Sequence, residues 1–295
     1  MRRTLAPDLL LEAHGAHAGR AVAIEGGRIV GVGPARDGER LPGRALAPGF
    51  VNDHSHAFQR ELRGRVERVR PGLRQDDFWT WREAMYGLAQ RLDPASLAGV
   101  VERCYREMLT AGYTSVTEFH YVHHQPDGRL YPDPNALAKV VAETAQRIGI
   151  RLLLLPVAYA RGGLPRFRDA SPEAFCERVD ALRAWAADRP LVEVGLAAHS
   201  VRAVPRDWLA ALADYARRND LPLHIHADEQ PAEIAACLDE HGLRPAALLA
   251  DTGFLGPRTT VVHATHADAH ELDLLAEHGA GICVCPTTEG NLGDG

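Results

Sequence analysis

The chain has 295 residues, 46% of them apolar, and a formal net charge of −6. This length allows one large domain or two smaller ones. The sequence contains no apolar run of the roughly 18 residues that a membrane span needs, and its first residues lead into no hydrophobic signal segment. We therefore expect no membrane partner and no export signal. The acidic charge also argues against nucleic acid as the main partner.

Cysteine usage predicts the compartment. The five cysteines are odd in number and scattered along the chain, which argues against a disulfide framework. We therefore expect a cytoplasmic protein with free thiols. Cys283 and Cys285 share one face of a predicted strand, and we expect them to be buried apolar side chains rather than metal ligands.

The first clear pattern is a hairpin near the N terminus. Residues 21–24 and 28–32 read as short strands, and Gly26 and Gly27 supply the positive φ angles that the tight turn between them requires. A unit of this size is too small to be stable alone. We therefore predict that residues 1–46 form a small β-unit that packs against strands from elsewhere in the chain.

From residue 47 onward, apolar runs alternate with amphipathic helical stretches. The predicted strands are residues 47–52, 114–119, 151–157, 193–198, 222–225, 259–262 and 281–285. The predicted helices include residues 94–110, 134–148, 172–187, 205–218, 231–241 and 269–278. This alternation predicts a parallel sheet, most economically a (β/α)₈ TIM-like barrel over residues 47–295 with its eighth strand missing. A doubly wound open sheet is the alternative, but no Gly-x-Gly-x-x-Gly fingerprint follows an early strand.

A His-x-His pair follows the first predicted barrel strand. His54 and His56 lie two residues apart, so in a strand both side chains point to the same face. Two neutral imidazoles that converge on one point suit a divalent metal such as zinc. A single pair of this kind could also be two half-exposed histidines without a function. The residues at the other strand ends decide between this interpretation and a metal site.

Polar residues recur at the ends of the later strands. They are Glu118 and His120, His199, His224 and His226, and His263. Active sites of (β/α)₈ barrels lie at the C-terminal ends of the strands, so these side chains should meet. Histidines on four converging strand ends favour a functional site over core packing.

The fifth strand offers both a ligand and a carboxylate. His226 lies at its end, and Glu229 follows three residues later at the turn into the next helix. A metal that activates water needs a nearby carboxylate to move the proton, and Glu229 could deliver it to a leaving nitrogen. We expect a supporting or packing role for His224 and a solvated or capping role for Asp228.

Five motifs carry a resemblance to a known family. They are residues 54–60 (HSHAFQR), 78–82 (FWTWR), 118–124 (EFHYVHH), 199–202 (HSVR) and 285–295 (CPTTEGNLGDG). Together they resemble the amidohydrolase superfamily in its deaminase branch, and most of all its formimidoylglutamate deiminases of histidine degradation. The resemblance implies a distorted (β/α)₈ barrel with a flanking β-sandwich, one zinc ion per site, and hydrolysis of N-formimino-L-glutamate to N-formyl-L-glutamate and ammonia.

The resemblance also implies residue roles. The implied zinc ligands are His54, His56 and His226; the implied catalytic residues are Glu229, as proton shuttle, and His263; the implied substrate-binding residues are Gln59, Arg82, Tyr121, His199 and Arg202. The arginine roles are independently sensible, because a guanidinium matches a carboxylate with two parallel hydrogen bonds. The expected partner is the small-molecule substrate, and a homodimer is compatible with the sequence.

The chain departs from the family at its C-terminal side. Family members supply an aspartate from an eighth strand as the last metal ligand and base. Glu289 and Asp294 are predicted to lie in the loop after the seventh strand, and neither matches that aspartate. We therefore expect that the chain is C-terminally truncated and that residues 1–295 alone are inactive.

Two other functions remain open. One is a different aminohydrolase of the superfamily acting on a purine or triazine, which would call for stacking side chains. The other is an inactive metal-binding protein. Residues 60–74 are rich in arginine, but the interleaved Glu61 and Glu67 predict a solvated loop. His123 and His124 are predicted to belong to a mobile lid loop around residues 125–128.

Overall fold

The structure is a computed structural model that describes residues 1–35, 38–66 and 78–294. Internal contacts divide the chain into two compact units, Met1–Phe50 and Val51–Gly295. The greater part of the predicted arginine-rich loop, residues 67–74, lies outside the described residues.

The first unit is a five-stranded, mainly antiparallel sheet. Its strands are β1 (Arg2–Glu12), β2 (Gly15–Ala18), β3 (Arg20–Glu25), β4 (Arg28–Pro34) and β5 (Glu39–Leu46). The order is β2-β1-β3-β4, and β5 pairs with β1 in parallel. The predicted hairpin is confirmed as β3 and β4, with positive φ at Gly26 and Gly27. The sequence did not predict β1, β2 or β5, whose apolar residues alternate less clearly.

The second unit is a nearly closed parallel barrel of seven strands with an open seam. Its strand segments are β6 (Phe50–Ser55), β7 (Tyr113–His120), β8 (Arg151–Ala158), β9 (Val192–Val194), β10 (Leu196–Ser200), β11 (Leu223–Ala227), β12 (Thr259–His263) and β13 (Gly281–Cys283). The order is β13-β12-β11-β10-β8-β7-β6, with β9 paired to β8. The predicted barrel of seven strands is confirmed, and the doubly wound sheet is wrong.

The fourth barrel strand is broken at Gly195, which separates β9 from β10. A Cβ atom at this position would lie 2.7 Å from the backbone oxygen of Pro222 and 2.8 Å from a methyl group of Leu155. Only glycine lets neighbouring strands approach this closely. On either side of the break, β9 pairs with β8, and β10 pairs with both β8 and β11.

Helices cover the outside of the barrel. They are α1 (Phe78–Ala89), α2 (Pro94–Thr110), α3 (Ala136–Ile148), α4 (Pro172–Ala186), α5 (Arg206–Arg218), α6 (Pro231–His241), α7 (Pro245–Asp251), α8 (Ala269–Glu277) and α9 (Pro286–Leu292). Asp93 caps α2 through the backbone N–H of Ser96, and Asp268 caps α8 in the same way. Their apolar faces join the outer side of the sheet in one core. Helix α9 occupies residues for which a loop was expected.

The first barrel strand begins later than predicted. Pro48 has no backbone N–H to donate to a ladder, and pairing starts at Phe50 and runs to Ser55. His54 therefore lies inside the strand, and His56 lies at the start of a short 3₁₀ helix, Ala57–Leu62.

The seam of the barrel lies between β6 and β13, the two end strands of the sheet. Apolar side chains close to these strands are exposed, namely Val51 (64%), Ile282 (43%) and Val284 (65%). Among the helices of the described residues, none is both long and apolar enough to cross a membrane.

Candidate active site

Three histidines converge at the C-terminal end of the barrel. The Nε2 atom of His54 lies 3.0 Å from Nε2 of His56 and 3.1 Å from Nε2 of His226. His54 and His56 come from the end of β6, and His226 comes from β11, 172 residues later in the sequence. The structure thus brings together the three predicted metal ligands.

Hydrogen bonds at Nδ1 set the orientation of the His56 and His226 rings. Nδ1 of His56 lies 2.9 Å from the backbone oxygen of Phe119, and Nδ1 of His226 lies 2.9 Å from the backbone oxygen of His199. A carbonyl oxygen only accepts, so each Nδ1 carries the proton and each Nε2 keeps its lone pair. Metal-binding histidines are oriented in this way in proteins.

The electrostatics of the three rings also fit a cation. Burial lowers the pKa of His56 from 6.5 to about 4. Burial, together with the neighbouring histidines, holds the pKa of His54 and that of His226 well below 6.5. The rings are therefore neutral at pH 7. Nitrogen ligands about 2.0–2.1 Å from a tetrahedral zinc ion lie roughly 3.3 Å apart, close to the observed spacing.

Glu229 lies beside this group, at the turn between β11 and α6. Its carboxylate is 3.5 Å from Nε2 of His263, whose ring stacks on that of His226. Burial raises the pKa of Glu229 to about 7, and Arg202 opposes this rise. A carboxyl group with this pKa can both take and give a proton near neutral pH.

His263 is held from both sides. Its Nδ1 lies 3.3 Å from the carboxylate of Glu289 in α9, and its Nε2 faces Glu229. The backbone of His263 and of Ala264 has positive φ, 77° and 53°, at the end of β12. Non-glycine residues adopt this conformation at a cost and are found mainly where function requires it. Sequence reasoning placed Glu289 in a loop and missed its contact with His263.

Arg202 lies between two carboxylates. Its guanidinium is 3.2 Å from Glu229 and 3.5 Å from Glu233, whose side chain is fully buried. Glu233 also accepts the backbone N–H of Glu229 at 3.1 Å. The guanidinium thus belongs to a buried charge network at the edge of the cavity.

The remaining predicted substrate-binding residues approach from other elements. Gln59 donates from Nε2 to the hydroxyl of Tyr121 at 2.8 Å. The guanidinium of Arg82, in α1, lies over the ring of Trp79 at 4.5 Å, and its Nε has no hydrogen-bond partner among the described residues. His199 packs its ring against Tyr159 at 4.3 Å between centroids.

All ten predicted site residues line one cavity of about 160 Å³. Sequence reasoning missed its aromatic wall, which is formed by Phe78, Trp81, Tyr86 and Tyr159. Tyr159 follows an apolar strand and reads as ordinary core in the sequence. Phe78 and Trp81 lay within a motif of the resemblance, residues 78–82, which was the signal that could have found them.

Asp228 is not the solvated residue that was expected. Its side chain is completely buried, and burial together with Glu271 raises its pKa to about 8. Its nearest cation is Arg244, 3.8 Å away. Asp228 has a positive φ of 54° and lies outside the cavity lining, whereas Glu229 lines the cavity. His224 is buried beneath the site, outside the cavity lining, in accordance with a packing role.

The expected mobile histidine lid is wrong. His123 is buried and its Nε2 contacts the backbone oxygen of Val157 at 2.8 Å. His124 is also buried, and its Nε2 lies 3.0 Å from the backbone oxygen of Arg168. Two buried rings with backbone partners form part of the scaffold.

The two late cysteines are only partly buried, and Cys285 lines the cavity. The ligand atoms of Cys285, His263 and Glu289 lie within 4.8 Å of one another. The Glu289 oxygen already accepts the backbone N–H of Cys285 at 3.1 Å and faces Nδ1 of His263. These two contacts explain why Cys285, His263 and Glu289 lie close together: Glu289 satisfies the backbone at the start of α9 and holds the ring of His263.

Comparisons with known proteins place this geometry in a family. The profile of the amidohydrolase family matches residues 45–295. The chain belongs to the amidohydrolase family. This amidohydrolase chain is 44% identical over 270 residues to formimidoylglutamate deiminase of Pseudomonas aeruginosa, a match that covers 88% of the chain and 58% of that enzyme. It is 31% identical over 304 residues to 8-oxoguanine deaminase of the same species, covering 98% of the chain and 65% of that enzyme. The chain thus spans less than two thirds of either relative.

Solved structures agree on the amidohydrolase fold. An amidohydrolase from Brucella melitensis superimposes with a TM-score of 0.91 at 35% identity, covering 99% of this chain and 67% of that one. An adenosine deaminase from Xanthomonas campestris, solved with bound zinc, superimposes with a TM-score of 0.81 at 24% identity, covering 99% of this chain and 64% of that one. The second likeness is one of fold.

Proposed function

We propose that the chain carries the catalytic site of a zinc-dependent deiminase that hydrolyses N-formimino-L-glutamate to N-formyl-L-glutamate and ammonia. The observation that carries the proposal is the meeting of three inward-facing imidazoles with the Arg202–Glu229 ion pair in one cavity. The 44% identity to a formimidoylglutamate deiminase supports the choice of substrate.

His54, His56 and His226 would hold the metal through their Nε2 atoms. A zinc ion there would supply a Lewis acid that activates water at neutral pH. The protein provides the rest: Phe119 and His199 set the ring orientations of His56 and His226 through their carbonyl oxygens. Burial keeps the ligand nitrogens unprotonated and free to bind.

Glu229 is proposed to move the proton. Water adds to the formimino carbon, the tetrahedral centre forms, and the carbon–nitrogen bond to the leaving ammonia breaks. Both protons of the water end on the nitrogen that leaves as ammonia. Glu229 would carry the first from the attacking water to the imino nitrogen. It would then carry the hydroxyl proton of the tetrahedral centre to the same nitrogen as the carbon–nitrogen bond breaks and the formyl carbonyl forms, a task suited to a carboxyl group with a pKa of about 7. His263, held by Glu289 at Nδ1, presents Nε2 to the same space and would orient the reacting carbon.

Arginines are proposed to select the substrate by its carboxylates. Arg202 and Arg82 both line the cavity, and each guanidinium can bind a carboxylate with two hydrogen bonds. Gln59, Tyr121 and His199 would contact the remaining polar atoms.

The aromatic wall of the cavity supports a purine as a second candidate substrate class. A purine would stack on rings such as Trp81 and Tyr86, which line the cavity, and one relative at 31% identity is an 8-oxoguanine deaminase. The stacking side chains that a purine would call for are therefore present in the cavity. The two arginines and the higher identity favour the acyclic dicarboxylate.

We also propose that residues 1–295 alone do not catalyse the hydrolysis of N-formimino-L-glutamate. Among the described residues the group of three histidines contains no carboxylate ligand, and the barrel seam is open. Without a carboxylate that also ligates the metal, a bound water would be poorly held and poorly aimed at the substrate.

The test uses a chimera in which residues 1–295 are followed by the C-terminal remainder of the Pseudomonas aeruginosa formimidoylglutamate deiminase. Ammonia release is measured with N-formimino-L-glutamate and, separately, with 8-oxoguanine, before and after removal of metal by a chelator. We expect metal-dependent release from the first substrate alone. Release from 8-oxoguanine alone, or release that persists in a His226→Ala chimera, would refute the proposal.

A further inference from the structure

Glu118 is the acidic residue of β7 whose carboxylate reaches across to the His54–His56 segment. It is 1% exposed, and its Oε1 accepts the backbone N–H of Ala57 at 2.7 Å. The hydroxyl of Ser55 also donates to Glu118, and that of Tyr105 donates to Oε2 at 3.2 Å. The carboxylate therefore contacts the residues on both sides of His56 and leaves His56 itself untouched.

The contact satisfies a backbone group at the start of a helix. His56 occupies the N-cap position of the 3₁₀ helix Ala57–Leu62, and its side chain makes no capping hydrogen bond. The N–H of Ala57 is the first in this helix and has no acceptor within the helix, so it needs one from elsewhere. Ala57 is 1% exposed, so water has little access to its N–H. Glu118 supplies the missing acceptor from the neighbouring strand.

The next residue of β7 completes the arrangement. The backbone oxygen of Phe119 accepts Nδ1–H of His56 at 2.9 Å. Residues 118 and 119 thus fix the backbone after His56 and the orientation of its ring, respectively. A shift of the Ala57 amide would move His56 relative to His54 and His226.

We propose that Glu118 is a positioning residue for the metal site, and that it acts by accepting the N–H of Ala57. The inference rests on the metal site of the proposed function. This role of Glu118 requires an acceptor oxygen within hydrogen-bond distance of the Ala57 N–H. A negative charge at this position is not required.

Two conservative variants of residues 1–295 distinguish the length of the side chain at position 118 from its negative charge. Glu118→Gln keeps the chain length and one acceptor oxygen but removes the charge. Glu118→Asp keeps the charge but withdraws the carboxylate by one methylene. Zinc affinity is measured by competition with a chromophoric chelator, and ligand geometry is measured from the absorption spectrum of the Co²⁺-loaded protein. Asp93→Ala, which removes the cap of α2 far from the site, controls for a general loss of stability.

We expect Glu118→Asp to weaken zinc binding by about 10- to 100-fold, the usual range for a residue that supports a metal ligand, and to alter the Co²⁺ spectrum. Glu118→Gln and Asp93→Ala should stay within about threefold of wild type with the wild-type spectrum. Wild-type affinity in Glu118→Asp, or an equal loss in Glu118→Gln, would overturn the inference while leaving the metal site in place. Wild-type binding no tighter than that of His226→Ala would overturn the metal site and the inference together.

Discussion

Arg202 and Glu229 form an ion pair, with 3.2 Å between the guanidinium and the carboxylate. The residue proposed to bind a substrate carboxylate is thus in contact with the residue proposed to move a proton. Arg202 lowers the pKa of Glu229 against the larger, opposite effect of burial. A substrate carboxylate that draws on the same guanidinium would weaken this lowering and favour the protonated form of Glu229.

Replacing Arg202 should separate binding from chemistry. In the chimera, Arg202→Met leaves a carboxylate without its partner, at a cost of about 3–5 kcal/mol for a buried pair. We expect kcat/KM for N-formimino-L-glutamate to fall by roughly 100-fold or more, with normal zinc content. Arg206→Met, on the exposed side of α5, is the control. Unchanged kcat/KM in Arg202→Met would contradict the carboxylate-binding role.

Glu229→Gln in the chimera should retain zinc and lose turnover. The amide has nearly the same shape as the carboxylate but cannot shuttle a proton, and general acid–base steps contribute about 10²- to 10⁴-fold in rate. Turnover and zinc content are measured on the same preparation, with the exposed Glu277→Gln as control. A loss of less than tenfold would remove Glu229 from the mechanism.

Residues 1–295 should bind one divalent metal ion through the three histidines. His226→Ala removes one of three converging Nε2 atoms, so elemental analysis after zinc reloading should find little metal in this variant. His278→Ala, an exposed histidine, should retain the wild-type content. Equal metal in both variants would show that the ion binds elsewhere.

Buried neutral histidines should make the metal-free chain sensitive to acid. Burial, with smaller effects of Arg178 and Arg166, lowers the pKa of His120 from 6.5 to about 3. Below pH 6.5 the unfolded state therefore binds a proton that the folded state does not, and stability is lost as pH falls from 6.5 towards 3. Urea unfolding at pH 7, 6 and 5 should show this loss. His120→Gln should reduce its slope, whereas the exposed His14→Gln should not.

The open seam should make residues 1–295 prone to association. Val284 follows β13 and is 65% exposed beside an unpaired strand edge, a typical site of aggregation. Val284→Lys should lower light scattering on heating, because charge at an edge discourages pairing with another chain. Leu130→Lys, an equally exposed position in a loop, should change scattering little. Equal effects would assign the association to general surface hydrophobicity.

Local sequence pattern was sufficient to predict much of the barrel and two of the three proposed metal ligands, His54 and His56. The two-residue spacing of His54 and His56 predicted that both rings share one face, and the rings do meet, although His56 lies just after β6. Strands β7, β8 and β12 lie within about one residue of their predicted ends, since β-favouring segments flanked by helical stretches leave few alternatives. The family motifs added the remaining site residues, and all of them line the cavity.

Tertiary structure alone decided the contacts that join distant segments. His226 meets His54 across 172 residues only because the sheet curls into a barrel. Asp228 and Glu229 are adjacent acids, yet Asp228, with its positive φ, is completely buried outside the cavity lining while Glu229 lines the cavity. Glu118 reads as one more strand residue until β6 and β7 pair and its carboxylate reaches the N–H of Ala57. Burial and long-range pairing arise from the packed chain as a whole, and local sequence does not encode which side chain will fill a given space.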